Sequence, residues 1–407
     1  MHYEGNEGTD KEMEKIAFVC QRYGPEVNGG SEQYCLQTAE KLAGKYDVTV
    51  YTTCALDYVT WRNHYAEGEE KIRGVRVKRY RVEKERNQEK FNRLSAKVLT
   101  DPNHTDEEEK EWIEEQGPYC PALLEALKRE HREYRVVFFM TYLYYLSATG
   151  LLMKLPNAAL IPTAHDEAPI YLRHYEKVFA GAKGLAWLTP EERAFTRERF
   201  PFIKDTPEIM IGAGIDMPRG ELPMAPKKIR KKRYLVYAGR IDESKGCGEL
   251  FDFYRKYKRE HGRDLKLVLM GRAVMRVPMD PDIISLGFVS EDVKYAVMRD
   301  AFALVLSSRF ESLSIVVLES MMMGRPVLVT GQCAVLKGHV VRSGAGLYYN
   351  NYSEFAGCIK WLEEHPEEYQ AMRANGRKYV KEKYSWYAIT NRFAELINQV
   401  SRDERGE

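Results

Sequence analysis

Ala303–Thr330 reads ALVLSSRFESLSIVVLESMMMGRPVLVT. The run ALVLSS has the length and composition of a buried strand, and RFE follows it as a turn. Ser312 or Ser314 can cap the next helix, since a hydroxyl there accepts from the exposed first-turn amides. Gly324 ends the helix and Pro326 comes just beyond it, the order expected at a helix stop. RPVLVT then has strand character again. A strand, a helix and a strand in such short succession form a βαβ unit, and such units build parallel sheets.

Inside this stretch lie two carboxylates, Glu311 and Glu319. The helix Ile315–Met323 is apolar on nearly all sides, so it packs within its domain. An ionised carboxylate buried there without partners costs several kcal/mol, so Glu319 needs donors. Arg325 or a backbone amide would be a structural partner. A pair of vicinal hydroxyls would be a ligand, because the two oxygens of a carboxylate match a cis-diol. Glu311 stands just before the helix, beside its free amides. Those amides suit an anion such as a diphosphate, and a carboxylate in the same place would choose sugar hydroxyls.

The alternation extends in both directions. IAFVCQ, DVTVYTT, GVRVKRYRV, RVVFFMT, ALIPTAHD, GLAWLT and EIMIG are strand candidates in the first half, with helical stretches between them. IGAGIDMPRGELPMAPKKIRKKR interrupts the pattern with Gly212, Gly214, Gly220, three prolines and six basic residues from Lys227 to Arg233. This reads as a linker. A second series follows with YLVYAGR, LKLVLMG, IISLGFV, AFALVLSS and RPVLVT, and the chain from Ser353 to about Gln399 reads as helical throughout. The fold class is therefore α/β with two doubly wound, Rossmann-like halves. The expected divisions are a disordered tail at 1–14, a first domain at 15–216, a linker at 217–232, a second domain at 233–383 and a terminal helix at 384–407 that crosses back to the first domain.

A chain of 407 residues suits two or three domains. With 62 basic and 60 acidic residues, a net charge of +2 gives no field directed at nucleic acid. The seven cysteines include no Cys-x-x-Cys pair, which favours reduced thiols in a cytosolic protein over disulfides or a zinc site. The longest uncharged run, Val136 to Met153, is near the minimum for a membrane span. Its three tyrosines, two threonines, serine and glycine argue for a buried strand followed by an amphipathic helix. Lys71 to Lys97 holds eleven basic and three acidic residues, and Asp101 to Glu115 holds eight acidic and one basic. These are solvated faces that partly neutralise each other, or else a basic face for weak peripheral contact with anionic lipid or a phosphate-bearing acceptor.

Three more places carry chemistry. In YAGRIDESKGCGEL a strand ends at Gly239, and Arg240 and Lys245 follow. They lie at the carboxyl end of a strand, where doubly wound sheets bind ligands. A fork and a mobile point charge there could neutralise a diphosphate leaving group; an ordinary solvated loop is the alternative. In RYGPEVNGGSEQYCLQ, Gly29 and Gly30 at a helix start permit close backbone approach to a ligand, although this is neither GxGxxG nor a P-loop. In IPTAHDEAPIYL, His165 follows a strand with Asp166 and Glu167 beside it. No second histidine stands at a ligand offset, so a ligand-facing histidine is preferred to a metal cluster, with a structural histidine as the alternative. Asp280-Pro281-Asp282 matches Asp-x-Asp, a metal-binding pattern, but proline between the aspartates makes a turn the better reading.

Taken in order, the Gly-Gly loop, the post-strand His, the Gly-Ile-Asp linker, GRIDESKG, GFVSEDV and the Glu-x7-Glu segment before MMMGRPVLVT resemble the GT-B glycosyltransferases of family 4, the group 1 transferases. The resemblance runs from about Ile16 to Gln399. It implies two Rossmann-like domains facing a central cleft. It implies a retaining transferase with a nucleotide diphosphate sugar as donor and no metal or other cofactor. By this resemblance Glu319 binds the ribose diol and Glu311 holds hydroxyls of the transferred sugar. Arg240 and Lys245 grip the diphosphate, and Gly30, with Gly29, offers backbone near the phosphates. His165 contacts the sugar near the reacting carbon. Backbone at Phe288 and Val289 reads the base, and amides of Ser312, Leu313 and Ser314 meet phosphate or sugar. The acceptor would be a glycan, a lipid-linked or a small-molecule hydroxyl. The expected location is cytoplasmic, with possible peripheral contact at the inner face of the membrane. Many members carry Glu-Gly-Phe-Gly where this chain has Glu311-Ser312-Leu313-Ser314, without glycine. A nucleotide-sugar epimerase on the same architecture and a non-catalytic sugar-nucleotide binding protein are the competing readings.

Overall fold

A computed structural model describes residues 13–218, 220–262 and 264–403. The expected tail at 1–14 lies outside the described residues up to position 12. The chain forms two compact units. The first contains residues 13–187, 197–209 and 393–403, and the second contains 188–196 and 210–392 apart from the two undescribed positions.

Among the described residues the first unit is built on eight strands: β1 (Lys15–Val19), β2 (Asp47–Thr53), β3 (Gly68–Ile72), β4 (Val75–Tyr80), β5 (Val137–Met140), β6 (Ala158–Ile161), β7 (Gly184–Trp187) and β8 (Glu208–Met210), whose last residue begins the second unit. Their order in the sheet is β3-β4-β2-β1-β5-β6-β7-β8. The pairs from β4 through β7 are parallel, and β3 runs antiparallel to β4 at the edge. Strands β1, β5, β6 and β7 are almost wholly buried, as continuous apolar runs should be in a sheet covered on both faces. Residues from Phe393 onward belong to this unit. Phe393 sets its ring on Phe138 and Phe18, with centroids 5.4 Å and 6.2 Å away.

The second unit has six strands: β9 (Tyr234–Ala238), β10 (Lys266–Met270), β11 (Ile283–Gly287), β12 (Ala303–Leu306), β13 (Val327–Thr330) and β14 (Gly346–Tyr349). They are ordered β11-β10-β9-β12-β13-β14, all parallel. Taken by sequence this is third, second, first, fourth, fifth, sixth, the doubly wound order whose switch point lies between the first and fourth strands. From β9 the chain winds to one side of the sheet, and from β12 to the other. The loops leaving the carboxyl ends of β9 and β12 flank that switch point, the place where doubly wound sheets bind ligands.

Two strands escaped the sequence reading. β3 is GEEKI, charged and exposed, with no apolar face to announce it. It is an edge strand held by pairing with β4. β14 is the short run GLYY, which lies in the interval before the helical end. That end consists of three helices, Tyr352–Glu364, Pro366–Lys383 and Trp386–Asp403. The seven cysteines are free thiols, and all but Cys358 are buried.

Candidate functional site

The carboxyl edge of the second sheet gathers most of the expected residues. After β9 the chain passes Gly239 and Arg240 and makes a short 3-10 turn at Glu243–Lys245. Asp242 caps this turn, accepting from the Lys245 amide at 2.9 Å and from Ser244 Oγ at 2.7 Å, and it pairs with Arg240. Burial alone would push the Asp242 carboxyl up. The bonds from Ser244, Arg240 and the Lys245 amide prevail and hold it below the usual carboxylate range. Gly246 then turns left-handed at φ 69°. A Cβ there would stand 2.3 Å from the Ser307 carbonyl oxygen, so only glycine brings this loop against the end of β12. Ser307 Oγ seals the approach by donating to the carbonyls of Lys245 at 3.1 Å and Gly246 at 2.8 Å.

That closeness carries Lys245 to Glu311. Their charged ends meet at 2.7 Å, with side chains 32% and 17% exposed. The two residues leave different strands, β9 and β12, on either side of the switch point.

Glu319 lies on the Ile315–Met322 helix, buried as its surroundings require. Its donors are Lys294 Nζ at 2.6 Å and Tyr295 Oη at 3.1 Å, both on one oxygen, Oε1. They come from the Glu291–Asp300 helix and stand where the sequence offered Arg325. Burial and the nearby Glu319 charge push the Tyr295 phenol far up, so it stays a donor. Lys294 and Tyr295 could not be inferred from sequence, because the packing of one helix on the other brings them to Glu319.

Ser312, Leu313 and Ser314 form the turn before that helix. The expected side-chain cap is absent. Ser314 occupies the N-cap position in the left-handed region, φ 63°, and makes no capping bond. Its Oγ is buried without a hydrogen-bond partner among the described residues. The positive φ also explains why glycine suits this place in the Glu-Gly-Phe-Gly pattern. Two residues outside the motif hold the turn. Fully buried His339 engages the Leu313 carbonyl through Nε2 at 2.8 Å, and Thr189 Oγ1 donates to the Ser312 carbonyl at 3.2 Å. Phe288 and Val289 follow β11, and Phe288 is 79% exposed. Asp280 and Asp282 do form a turn: the Ile283 amide bonds the Asp280 carbonyl at 3.1 Å, and Asp282 pairs with Lys258 at 2.9 Å and with Lys266.

The first unit places its expected residues at its own sheet's carboxyl edge. Gly30 opens the Gly30–Leu42 helix and Gly29 is its N-cap. A Cβ on Gly29 would lie 2.2 Å from Glu32 Oε2, while one on Gly30 would meet nothing within 4 Å. The missing side chain of Gly29 thus admits a carboxylate of the same helix, which pairs with Arg22 at 2.5 Å. His165 lies beyond the end of β6, with Nε2 3.5 Å from Glu167 Oε2. Glu167 Oε1 accepts from Tyr142 Oη at 2.7 Å, and Asp166 accepts from Tyr171 Oη at 2.8 Å. Thr141 and Thr163, at the ends of β5 and β6, hold positive φ of 58° and 54°. Strain of this kind in β-branched residues marks functional edges more often than ordinary loops.

Part of the basic stretch is answered within the unit. Lys84, Lys90 and Lys97 pair with Glu115, Glu111 and Glu108 respectively, on the Asp106–Gln116 helix. No helix among the described residues is long and apolar enough to cross a membrane.

Residues 219–379 match a family model described as Glycosyl transferases group 1. The matched segment contains Arg240, Lys245, Glu311 and Glu319. An uncharacterized glycosyltransferase of Methanocaldococcus jannaschii is 28% identical over 167 residues, covering 38% of this chain and 42% of that protein. The chain spans less than half the length of the curated relatives it matches. Among solved structures, sucrose-phosphate synthase from Thermosynechococcus elongatus aligns over 95% of this chain and 99% of its own, with TM-score 0.67 and 18% identity. An E. coli trehalose-6-phosphate protein bound with UDP-2-fluoro glucose aligns over 95% and 99%, with TM-score 0.69 and 12% identity. These likenesses establish the fold, two Rossmann-like units of the GT-B type.

Proposed function

We propose that this protein is a retaining glycosyltransferase that moves a sugar from a nucleoside diphosphate to a hydroxyl acceptor. The observation that carries the proposal is the meeting of Lys245 and Glu311 across the switch point of the second sheet, 2.7 Å apart. A cation suited to a diphosphate and a carboxylate suited to sugar hydroxyls stand side by side where a doubly wound sheet binds its ligand. The group 1 match over the same residues supports the reading.

In this reading Arg240 and Lys245 stabilise the charge that develops on the leaving diphosphate. Glu311 holds the transferred sugar, and Glu319 accepts from the ribose through Oε2, since Lys294 and Tyr295 engage Oε1. Phe288 and Val289 lie at the base, and the free amides of the Ile315–Met322 helix face phosphate or sugar. The bond from the anomeric carbon to the phosphate oxygen breaks, leaving its electron pair on the phosphate. The acceptor hydroxyl bonds the same face of the sugar and passes its proton to that phosphate oxygen. No protein nucleophile, base or metal is required; the side chains position groups and stabilise charge. The first unit is read as the acceptor side; it also lends His165 to the transferred sugar near the reacting carbon and the Gly29–Gly30 backbone to the donor phosphates.

The test is turnover of Arg240→Ala and Lys245→Ala with a panel of nucleotide sugars and acceptor hydroxyls. Each should lose at least a hundredfold in kcat, about 3 kcal/mol of transition-state stabilisation. Wild-type rates in both variants would remove the diphosphate role. Conversion of the donor to an isomeric nucleotide sugar without acceptor would instead make the protein an epimerase.

A further inference from the structure

Lys245 and Glu311 are assigned above to different parts of one ligand, yet in the structure they hold each other. The inference here rests on that assignment and concerns what opening the pair implies for different ligands. The other cations of these loops are engaged elsewhere: Arg240 pairs with Asp242, and Arg309 lies 3.8 Å from Glu249. Lys245 is thus the cation that answers Glu311.

A nucleoside diphosphate sugar replaces both halves of the pair. Its phosphates take Lys245, and its sugar hydroxyls donate to Glu311. A nucleoside diphosphate without the sugar replaces only one half. It draws Lys245 away and leaves the Glu311 carboxylate without its donor, beside two added phosphates. The Glu311 side chain is 17% exposed, so water screens that repulsion incompletely. We propose that the Lys245–Glu311 pair is a selectivity device by which the site favours the intact donor over its own nucleoside diphosphate product. Glu311 then acts twice, as a sugar-holding group and as an internal competitor of the diphosphate for Lys245. Product release is assisted because the pair re-forms once the sugar has left.

The experiment is isothermal titration of the full chain with uridine, guanosine and adenosine diphosphates, and with uridine, guanosine and adenosine as controls. It compares wild type, Glu311→Gln, Glu311→Ala, Lys245→Ala and the Lys245→Ala/Glu311→Gln double variant. The diphosphate that wild type binds should bind both Glu311 variants about tenfold more tightly, a gain of about 1.4 kcal/mol. It should bind Lys245→Ala more weakly, and the double variant should gain less than half of the tenfold. The unphosphorylated nucleosides should not distinguish wild type from Glu311→Gln. Equal or weaker diphosphate binding in both Glu311 variants, with binding still dependent on Lys245, would overturn the selectivity device and leave the site assignment intact. Absence of diphosphate binding in wild type would overturn both.

Discussion

The Lys294–Glu319 pair decides whether the buried carboxylate is held from within the fold, and Lys294→Met tests it. At 2.6 Å and an effective dielectric constant near 20, the attraction is about 6 kcal/mol gross. Desolvation of two ions opposes it, several kcal/mol each at full burial. Glu319 is nearly enclosed, its side chain 9% exposed, whereas Lys294 keeps 24% of its side chain in water. Removing Lys294 leaves Tyr295 as the remaining donor to an enclosed charge. The cost should fall below the 3–5 kcal/mol of a fully buried pair, at about 2 kcal/mol. A chain of two units need not unfold in one step, so a local measurement is appropriate. Hydrogen–deuterium exchange of peptides covering the Glu291–Asp300 and Ile315–Met322 helices should accelerate about thirtyfold in Lys294→Met. In Lys294→Met/Glu319→Gln the loss should be clearly less than the sum of the single losses, since no charge is then stranded. An acceleration below threefold in Lys294→Met, or strict additivity in the double variant, would refute this account of Glu319.

His339 gives a pH signature. Burial, reinforced by the Arg342 charge, lowers its pKa to about 4. The unfolded chain takes up this proton near pH 6.5 and the folded chain only near 4, so stability is full above about 6.5 and falls as the pH drops toward 4. The difference amounts to about 3 kcal/mol, and His339→Gln should lack it; identical pH profiles for exchange in the second unit would contradict this. Ser314→Gly should relieve a left-handed serine and stabilise the second unit by about 1 kcal/mol, read as a rise in its melting temperature. A fall would mean that Ser314 Oγ makes a bond worth more than the strain.

Much of the architecture was legible because buried strands of a parallel sheet are short apolar runs and a half-buried one such as β4 alternates, and twelve of the fourteen strands among the described residues were read from one pattern or the other. Of the two that were not, β3 is charged and exposed, and β14 is only four residues, GLYY. The ends of strands also placed Arg240, Lys245, Glu311 and His165 at sheet edges, since carboxyl ends follow from chain direction alone. What stayed hidden depends on contacts distant in sequence. The donors of Glu319 come from a different helix, and the lock of His339 on Leu313 spans 26 residues. Ser314 illustrates a different limit. Its spacing suggested a cap, but the backbone turns left-handed there, and a hydroxyl in that conformation does not reach the first-turn amides. The charge blocks at 71–97 and 101–115 were read as partly self-neutralising or membrane-facing, and Lys84, Lys90 and Lys97 find their partners on the acidic helix.

The central claim, that the carboxyl edge of β9 and β12 binds a nucleotide sugar through Lys245, is tested most directly by differential scanning fluorimetry. Wild type and Lys245→Ala would be titrated with a panel of nucleoside diphosphate sugars. At a hundred times its dissociation constant, a true donor should stabilise wild type by roughly 3 kcal/mol, seen as a rise of several degrees, and Lys245→Ala should lose most of that rise. A flat response of wild type to every nucleotide sugar, or an equal rise in both proteins, would contradict the claim.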